Sequence, residues 1–560
     1  MYLAHFPDEN FYYLGTEPAD SGTYDRYITN ADPKLVGMDV ETISLKDTTP
    51  IGIGISITTR VSFYFPLHPT VSSYLPWKLI KDPSVVKVFH NAPFDLHTME
   101  DFEMDNTNVM DTAIMARLLR YKSAVLSDLV HVHHMEAHEV KEVLKEYNAK
   151  TMLDLPEKTC AAKCMQDSSA TLKLYLEFLP DIDYEYLQTE MKVIPILLKM
   201  SNKGLLIDQQ AREIIEENLQ DDVDYLLKLC QDQDIEKPGS PKQVAYILAE
   251  RGAYTVFPKL PYTDRTKKNL STDGKKILPK MTDPLAGIVL RWRKQSKLLS
   301  TYIKPWADDE RAYTRFHMDA VTGRPTSTKR NMQNIPPGEM RGILLPDTGI
   351  WTDTDWSQLE LRVLAYLSQD PEMLRIYSLP KFNKDGSLNE EADIHQQTAI
   401  FLGIARRLAK TINFAMVYGG TDSTLAETAG VSIQRAKQLR IMWFQKFAGA
   451  GSYINWVQAL GLSQGYVTTV FGRNIRLPAL GEDSPDGIQR KAVDYPCQGS
   501  AAEILKRGLI LCDEAGMDMR LQIHDEILVD GFVHQDNFKM LENIAPFETP
   551  IEVKYLSRWE

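Results

Sequence analysis

Short strand-like runs that contain acidic residues occur in two distant parts of this chain, and long helical stretches lie between them. From about residue 35 to 90, the alternating runs KLVGMDVETISL, IGIGISI, VSFYFPL and VVKVFH predict a sheet. Polar helical periodicity dominates from about 185 to 310, and acid-bearing strands alternate with long helices after 345. This order predicts a mixed α/β (α+β) fold with more than one domain.

The composition limits what the chain can bind by charge alone. A formal net charge of -13 excludes a polybasic tail, so any nucleic-acid site must be a local basic surface. One candidate is RWRKQSKLLSTYIKPW, which contains Arg291, Arg293, Lys294, Lys297 and Lys304; a solvated cationic helix face explains this stretch equally well. Five scattered cysteines, no secretory leader and no apolar run of membrane-spanning length predict reduced thiols, a cytoplasmic protein and no membrane contact.

Acidic residues near the N-terminus form a candidate cation site. Strand alternation in VGMDVETISL puts Asp39 and Glu41 side by side, although a solvated strand face explains most such pairs. Asp95 follows a later apolar run, and Asp167 lies in a helical stretch. Four carboxylates from three segments can bind two divalent cations, which activate water and stabilise the leaving oxygen of a phosphodiester.

A carboxylate also interrupts the apolar run LQIHDEILVD. On one continuous strand, Asp525 would share a face with Leu521, Ile523, Ile527 and Val529. An ionised carboxylate in an apolar layer is costly unless it is paired, hydrogen-bonded or bound to a cation. The run therefore needs either a partner for Asp525 or a break in the strand.

The segment IWTDTDWSQLELRVLAYLSQ predicts a strand that ends at Asp355 and a helix that begins at Ser357. Ser357 and Glu360 have the spacing of a capping box, which would give Glu360 a purely structural role. Asp355 is harder to explain by structure alone. If it converged with Asp525, the two acids would make a second two-cation site.

The segment RRLAKTINFAMVYGG spaces two cations and two aromatic residues four positions apart: Arg406, Lys410, Phe414 and Tyr418. On a helix these side chains form one slowly drifting ridge. Phosphates attract the cations, and a base or sugar can pack on the aromatic rings. The structural alternative is an amphipathic helix whose aromatic residues belong to the core.

Residues 30 to 180 resemble the DEDD superfamily of 3'-5' exonucleases, the proofreading kind. The resemblance maps the metal ligands onto Asp39, Glu41, Asp95 and Asp167. One position departs from the family pattern, because a Tyr or His usually lies four residues before the last Asp and orients the attacking water. Here that position is Lys163, and a protonated ammonium cannot act as a base.

From about residue 185 to 560 the chain resembles the family A DNA polymerases. The matching segments, in order, are TGRPTSTKRNMQNIP, DWSQLELR, RRLAKTINFAMVYGG, FGRNIRLP, QRKAVDYPCQGSAAEILKR and HDE. The resemblance implies that HDE forms the turn of a β-hairpin. Asp525 would then leave the apolar layer and face bound metal.

The resemblance assigns a role to each matching residue. Asp355 and Asp525 would hold two Mg²⁺ ions, with Mn²⁺ as an alternative, and Glu526 would support the site. The residues implied in dNTP binding are Arg406, Lys410, Phe414, Tyr418, His395, Glu360 and Gln358. Glu360 matches the side chain that blocks a ribose 2'-hydroxyl, so the capping and steric-gate roles compete for it, and we favour the gate.

The implied DNA contacts are Arg324, Arg490, Gln498 and His524. Minor-groove acceptors are nearly the same for every correct base pair, so a donor there tests pair geometry without reading sequence. Two positions depart from the family: Trp356 replaces a Tyr, and Asp494 replaces an Asn. A carboxylate near template phosphates would weaken binding unless a neighbouring cation pairs with it.

The resemblance also predicts the domain order. An RNase H-like exonuclease domain spans residues 1–184, and a right-hand polymerase domain spans 185–560, with the thumb at about 195–312, the palm at about 313–370 and 455–560, and the fingers at about 371–454. No 5'-nuclease segment precedes the exonuclease-like region, and the connection from His395 to Arg406 is short, as in phage replicative members. We therefore expect a monomeric, phage-type replicative DNA polymerase with 3'-5' proofreading.

The expected partners are primer-template DNA, dNTPs and a processivity factor or other replisome proteins. A single-subunit RNA polymerase shares this chemistry and is the first rival, which Glu360 argues against. The second rival is a DNA-binding exonuclease without synthesis, which the intact Asp355, Asp525, Arg406 and Lys410 argue against.

Overall fold

The computed structural model describes residues 33–67, 77–135, 139–263, 268–385 and 387–559, and the backbone of residues 2–6 and 9–13. The strands are β1 (Tyr2–Phe6), β2 (Glu9–Tyr13), β3 (Leu35–Thr42), β4 (Pro50–Thr58), β5 (Val61–Pro66), β6 (Val86–Phe89), β7 (Val109–Asp111), β8 (Leu205–Ile207), β9 (Arg311–Ala312), β10 (Arg315–His317), β11 (Thr326–Thr328), β12 (Leu344–Leu345), β13 (Trp351–Trp356), β14 (Tyr466–Thr468), β15 (Asn474–Arg476), β16 (Met519–Ile523), β17 (Glu526–Asp530) and β18 (Ile551–Leu556).

The α-helices are α1 (Trp77–Ile80), α2 (Ala92–Thr98), α3 (Thr112–Leu118), α4 (Leu126–Val132), α5 (Val140–Glu146), α6 (Glu157–Phe178), α7 (Tyr184–Lys203), α8 (Gln209–Gln231), α9 (Pro241–Glu250), α10 (Pro284–Leu298), α11 (Glu339–Gly342), α12 (Leu359–Ser368), α13 (Pro371–Tyr377), α14 (Ile394–Leu402), α15 (Arg406–Val417), α16 (Asp422–Ala429), α17 (Ile433–Lys446), α18 (Ala448–Gln464) and α19 (Pro485–Glu514). Short 3₁₀ turns join several of them, and a π-helical turn, Leu299–Ile303, continues α10.

The predicted N-terminal sheet is present. Its strand order is β1-β2-β5-β4-β3-β6-β7, with β3 antiparallel to β4 and parallel to β6. The long helix α6 packs across β3, β4 and β5. This sheet and its covering helix bring the three predicted acid-bearing segments to one place.

Two glycines allow α6 to lie very close to the sheet. A Cβ atom on Gly37 would lie 2.3 Å from the carbonyl oxygen of Ser168, and one on Gly54 would lie 2.6 Å from that of Cys164. Real Cβ contacts are essentially never this short, so any larger residue would push the helix away. The close approach holds Asp167 of α6 beside the strand that contains Asp39 and Glu41.

The second sheet is antiparallel and has the order β16-β17-β13-β18. Helix α12 follows β13 directly and packs against α18 and α19. Helix α15 packs on α12, α14 and α16, and α12 is the helix that directly follows β13. The acid-bearing strands and the cation-bearing helix of the sequence patterns therefore belong to one body.

Helix α7 connects the two sheet regions. It packs against α2 on one side and against α19 and β16 on the other. A fully buried ion pair fixes this junction, with Nζ of Lys506 2.5 Å from Oε2 of Glu190. The five cysteines are buried free thiols, as predicted. Within the described ranges, no helix has the length and apolar character needed to cross a membrane.

Candidate active sites

Three of the four predicted N-terminal acids form a tight cluster. Ligand oxygens of Asp39, Glu41 and Asp167 all lie within 4.8 Å of one another. The first two come from β3 and the third from the facing turn of α6. The structure thus joins residues that lie more than a hundred positions apart in the sequence.

Asp95 lies next to this cluster but is not part of the close group. It is buried in α2, and its Oδ1 accepts a hydrogen bond from the backbone N–H of Val40 at 3.1 Å. Asp111 fixes the start of the same helix, because its carboxylate accepts hydrogen bonds from the N–H groups of Asn91 and Ala92. Asp95 is therefore held by the protein against the edge of the cluster.

The electrostatics of the cluster suit a cation. Burial, followed by repulsion from Asp167, raises the pKa of Asp39 to about 7, and burial with Asp39 raises the pKa of Glu41 to about 8. Oδ1 of Asp167 is buried and has no hydrogen-bond partner among the described residues. Crowded, desolvated carboxylates with a free oxygen are a donor set that fits a hard divalent ion.

Lys163, the departure from the exonuclease pattern, is part of this cluster. Its ammonium pairs with Oδ2 of Asp167 one helical turn away, and both side chains are almost fully buried. Burial alone would lower the pKa of Lys163, but the carboxylates of Asp167, Glu41 and Asp39 outweigh it and raise the pKa. The ammonium therefore remains charged.

The second site is built where β13 ends beside the β16–β17 hairpin. Ile523 pairs with Glu526, which leaves His524 and Asp525 as the turn, and His524 has a φ of 55°. The hairpin implied by the resemblance is present, and the continuous strand with Asp525 on its apolar face is wrong. The turn frees Asp525 from the apolar layer and sets its carbonyl oxygen 3.2 Å from the N–H of Trp356.

The acids of this site repel one another. Burial, followed by Asp525 and Glu526, raises the pKa of Asp355 to about 8, and burial raises the pKa of Asp525 to about 6. Asp355 also lies opposite Glu526 in the strand register. Among the described residues, no three acids of this site lie within 4.8 Å of one another, unlike those of the first cluster. They are adjacent donors that a divalent ion would draw together.

Asp353 is an acid of this site that the sequence analysis missed. It lies two residues before Asp355 on the same face of β13 and is 7% exposed. Burial, followed by Glu526, raises its pKa to about 7. The alternation in TDTD could have revealed it, because acids two apart on a strand share a face.

Glu526 is anchored by two residues from other parts of the chain. Nε1 of Trp559 donates a hydrogen bond to its Oε1 at 2.8 Å, and Nη1 of Arg341 lies 3.4 Å from its Oε2. The Arg341 guanidinium also stacks on the Trp559 ring at 4.3 Å. Arg341 and Trp559 therefore position this carboxylate, and no local sequence signal links the three residues.

The predicted capping box at Ser357 is wrong. Helix α12 begins after Gln358, which adopts a left-handed backbone with a φ of 56° and makes no side-chain cap. Because the cap residue is Gln358 and no side chain caps the helix, Glu360 has no capping role. Its carboxylate accepts a hydrogen bond from Nη2 of Arg324 instead, and the hydroxyl of Tyr418 also bonds to it.

The predicted ridge lies on α15 and just past its end. Arg406 at the start of the helix pairs with Asp393 at 2.7 Å, and the ammonium of Lys410 lies 5.9 Å from the Phe414 ring centre. The rings of Phe414 and Tyr418 stack at 6.1 Å. Gln358, Asp393 and Arg406 help line a cleft of about 830 Å³ beside α12 and α14. The residues that line this cleft include Arg406 but not Lys410, Phe414 or Tyr418.

His395 is buried behind this ridge in a fixed tautomer. Nε1 of Trp443 donates to Oδ1 of Asn413 at 2.8 Å, so the amide nitrogen of Asn413 must face Nδ1 of His395, 2.9 Å away. Nδ1 then accepts, and the proton lies on Nε2. Burial, together with Arg406 and Lys410, lowers the pKa of His395 to about 4.

The predicted DNA contacts form two groups. Gln498 donates to Asp494 at 2.7 Å, and burial, followed by Glu360, raises the pKa of Asp494 to about 6. This arrangement puts Asp494 beside the Arg324–Glu360 pair. Arg490 and His524 are exposed. The two residues that depart from the family pattern therefore have different surroundings. Asp494 lies beside an ion pair, whereas Trp356 is 1% exposed and belongs to the core.

Only part of the predicted basic surface on α10 is available to a ligand. Arg293 donates to backbone oxygens of Pro238 and Thr272 at 2.9 and 2.7 Å, and Lys304 binds Gln220. These two residues have structural roles. The exposed cations of the stretch are Arg291, Lys294, Lys297 and Lys304, and of these Lys304 is the one bound to Gln220.

Arg473 is a second functional residue that the sequence did not predict, although it lies in the matching segment FGRNIRLP. This buried residue of the β14–β15 hairpin donates to the carbonyl oxygens of Thr322 and Val321 at 3.1 and 2.9 Å. These carbonyls belong to the loop that leads to Arg324. Arg473 therefore positions a predicted primer contact without touching it.

Comparison with known proteins identifies the chain. The family model for the 3'-5' exonuclease matches residues 25–183, and that for DNA polymerase family A matches residues 209–548. The DNA polymerase I of Pseudomonas aeruginosa is 26% identical over 94% of this chain and 62% of its own length. That of Streptococcus pneumoniae is 32% identical over 63% of this chain and 42% of its own length.

A solved structure has the same fold. The POL domain of Pol1 from M. smegmatis, in complex with DNA primer-template and dNTP, has a TM-score of 0.76 at 22% identity and covers 98% of this chain and 99% of that one. Each of the two sheet regions has its own group of acids, and the two family models match the two parts of the chain that contain them. The chain belongs to DNA polymerase family A. It spans 62% or less of the length of the bacterial relatives named above.

Proposed function

We propose that the chain extends the 3'-hydroxyl of a primer with dNTPs on a DNA template, and removes nucleotides in the 3'-5' direction at its N-terminal site. The observation that supports synthesis most directly is the hairpin turn at Asp525, because its carboxylate is close enough to that of Asp355 to raise the pKa of Asp355. The acid cluster of Asp39, Glu41 and Asp167 supports the exonuclease.

Each group of the synthesis site would have a separate task. Arg406 and Lys410 would bind the triphosphate, and the stacked rings of Phe414 and Tyr418 would hold the sugar and base. His395 would donate a hydrogen bond through Nε2, which carries the proton in the tautomer that the bond to Asn413 implies. Two Mg²⁺ or Mn²⁺ ions, held by Asp355 and Asp525, would supply charge neutralisation and activate the primer hydroxyl.

Glu360 would exclude ribonucleotides by occupying the space of a 2'-hydroxyl. Its pairing with Arg324 and Tyr418 restricts its rotamers, which supports a fixed steric role. Arg324 and Gln498 would contact the minor-groove side of the primer end, and Arg490 and His524 the template and primer.

The domain boundaries follow the same proposal. Residues 1–184 form the exonuclease domain, 195–312 the thumb, 313–370 and 455–560 the palm, and 371–454 the fingers. Only residues 403–405 separate α14 from α15, which supports a phage-type replicative enzyme. Its partners would be primer-template DNA, dNTPs and replisome proteins, and it would act as a monomer in the cytoplasm.

Primer extension with matched variants tests synthesis. Asp525→Asn and Asp355→Asn should each lower the rate by at least about 100-fold, because both remove a carboxylate that faces the reacting charge. Asp308→Asn, on an exposed acid, should match the parent. Extension that survives Asp525→Asn would contradict the proposal. Equal use of rNTPs and dNTPs would favour the single-subunit RNA polymerase instead.

A mismatched primer without dNTPs tests the exonuclease. The parent and Asp101→Ala, which alters an exposed acid, should degrade the primer, and Asp39→Ala should not. Degradation by Asp39→Ala would move the activity away from the N-terminal cluster. If the parent protein degraded the primer but did not extend it with dNTPs, the second alternative would be favoured, a DNA-binding exonuclease without synthesis.

A further inference from the structure

Lys163 puts a positively charged group inside the N-terminal acid cluster. Its ammonium binds Oδ2 of Asp167, and the two side chains are 6% and 10% exposed. The carboxylates that face this ammonium are those of Asp167, Glu41 and Asp39. A positive charge thus already lies among the carboxylate ligands before any metal binds.

The cluster retains one complete place for a divalent ion. Oδ1 of Asp167 is buried without a partner among the described residues, while the other oxygen of the same carboxylate is taken by Lys163. Ligand oxygens of Asp39 and Glu41 lie within 4.8 Å of those of Asp167. Three carboxylates around one unpartnered oxygen are a donor set for a single ion.

A binding position for a second divalent ion would have fewer carboxylate ligands. Asp95 is the remaining acid, and its Oδ1 accepts a hydrogen bond from the N–H of Val40. It lies outside the close group of three. A second divalent ion would share Asp39 with the first ion and would lie near the ammonium of Lys163, which repels it at short range in a buried pocket.

We propose that the ammonium of Lys163 takes the place of one of two divalent cations, so that the exonuclease site binds a single ion through Asp39, Glu41 and Asp167. This inference rests on the proposed exonuclease function for its meaning, but its test is a metal count. Lys163 acts here as a residue that determines cation stoichiometry.

Mn²⁺ titration followed by electron paramagnetic resonance tests the proposal. The full chain is used with Asp355→Asn and Asp525→Asn, which remove the ligands of the synthesis site. In this background, the protein that retains Lys163 should bind one Mn²⁺ ion, and the added substitution Asp39→Ala should abolish that binding. Lys163→Met should give two bound ions, with at least about tenfold tighter binding of the first because the competing charge is gone.

The controls separate this inference from folding and from the proposed function. Lys192→Met, on an exposed lysine of α7, should keep a count of one, and Lys163→Tyr provides a second neutral variant if the first fails to fold. Two ions in the parent background, or one ion in both Lys163 variants, would overturn the inference. A chain that degrades no primer but shows the predicted counts would overturn the exonuclease function alone.

Discussion

Arg324 donates a hydrogen bond from Nη2 to Oε1 of Glu360, and this ion pair joins the loop between β10 and β11 to the first turn of α12. The predicted primer contact and the predicted steric gate are therefore held by one interaction. Neither residue is free to act alone, because breaking the pair leaves a nearly buried carboxylate without its main cation.

Glu360→Ala should relax sugar selection. The substitution opens the space of a 2'-hydroxyl, so the preference for dNTPs over rNTPs should fall by at least about tenfold. The measurement is kcat/KM for each nucleotide with the same primer-template. Asp308→Ala, which removes an exposed acid, is the control. An unchanged preference would return Glu360 to a structural role.

Metal-free protein should lose stability as the pH rises. Asp355 has an ordinary pKa of about 4 when unfolded and a folded pKa of about 8, so its folded form binds a proton more tightly. The stability from this proton is complete below pH 4 and is lost as the pH rises to 8. Urea unfolding in EDTA at pH 5 and 8.5 measures the loss.

Asp355→Asn should reduce that loss by about 2 kcal/mol, less than full linkage predicts because water reaches part of the site. Asp308→Asn should leave the loss of stability between pH 5 and 8.5 unchanged. Addition of Mg²⁺ at pH 8.5 should raise the stability of the parent protein again. A parent protein with the same stability at both pH values would show that burial and the neighbouring acids do not raise the pKa of Asp355.

Arg473→Met should weaken primer-template binding more than it slows the chemical step. The change leaves the carbonyls of Val321 and Thr322 without donors and lets the Arg324 loop move, at a cost of about 3 kcal/mol in the free energy of unfolding. The expected readout is a higher KM for primer-template with a smaller fall in kcat.

Arg476→Met provides a matched control for Arg473, because Arg476 lies on the same hairpin and pairs with Glu482 near the surface. It should change neither constant. Arg473→Lys should restore part of the KM effect, since an ammonium can still donate to one carbonyl. Equal falls in kcat and kcat/KM would instead indicate a general loss of structure.

The absence of a side chain at Gly508 should be what leaves room for the ring of Trp356. A Cβ atom at position 508 would lie 2.6 Å from the Trp356 ring, so Gly508→Ala should destabilise the parent by about 1 to 3 kcal/mol. In a Trp356→Tyr background the cost should be smaller, because the shorter ring leaves room. A double-mutant cycle measures this coupling by thermal unfolding. Additive costs would exclude the packing explanation.

The sequence predicted the elements of both sites more completely than their geometry. The alternation near Asp39 and the four-residue spacing from Arg406 are local patterns, and the strand and helix that they predict are present. The capping box at Ser357 failed because the same letters fit a left-handed turn at Gln358. A local rule cannot tell which conformation the neighbouring sheet imposes.

The sequence by itself determined the mixed fold and the residue types that meet at each site, because strand and helix periodicity fix which side chains share a face. Only the tertiary structure decided which charged side chains pair with one another. Lys163 neutralises Asp167, Arg324 pairs with Glu360, and Asp353 joins Asp355, since burial makes each unpaired charge costly and leaves the choice of partner to packing.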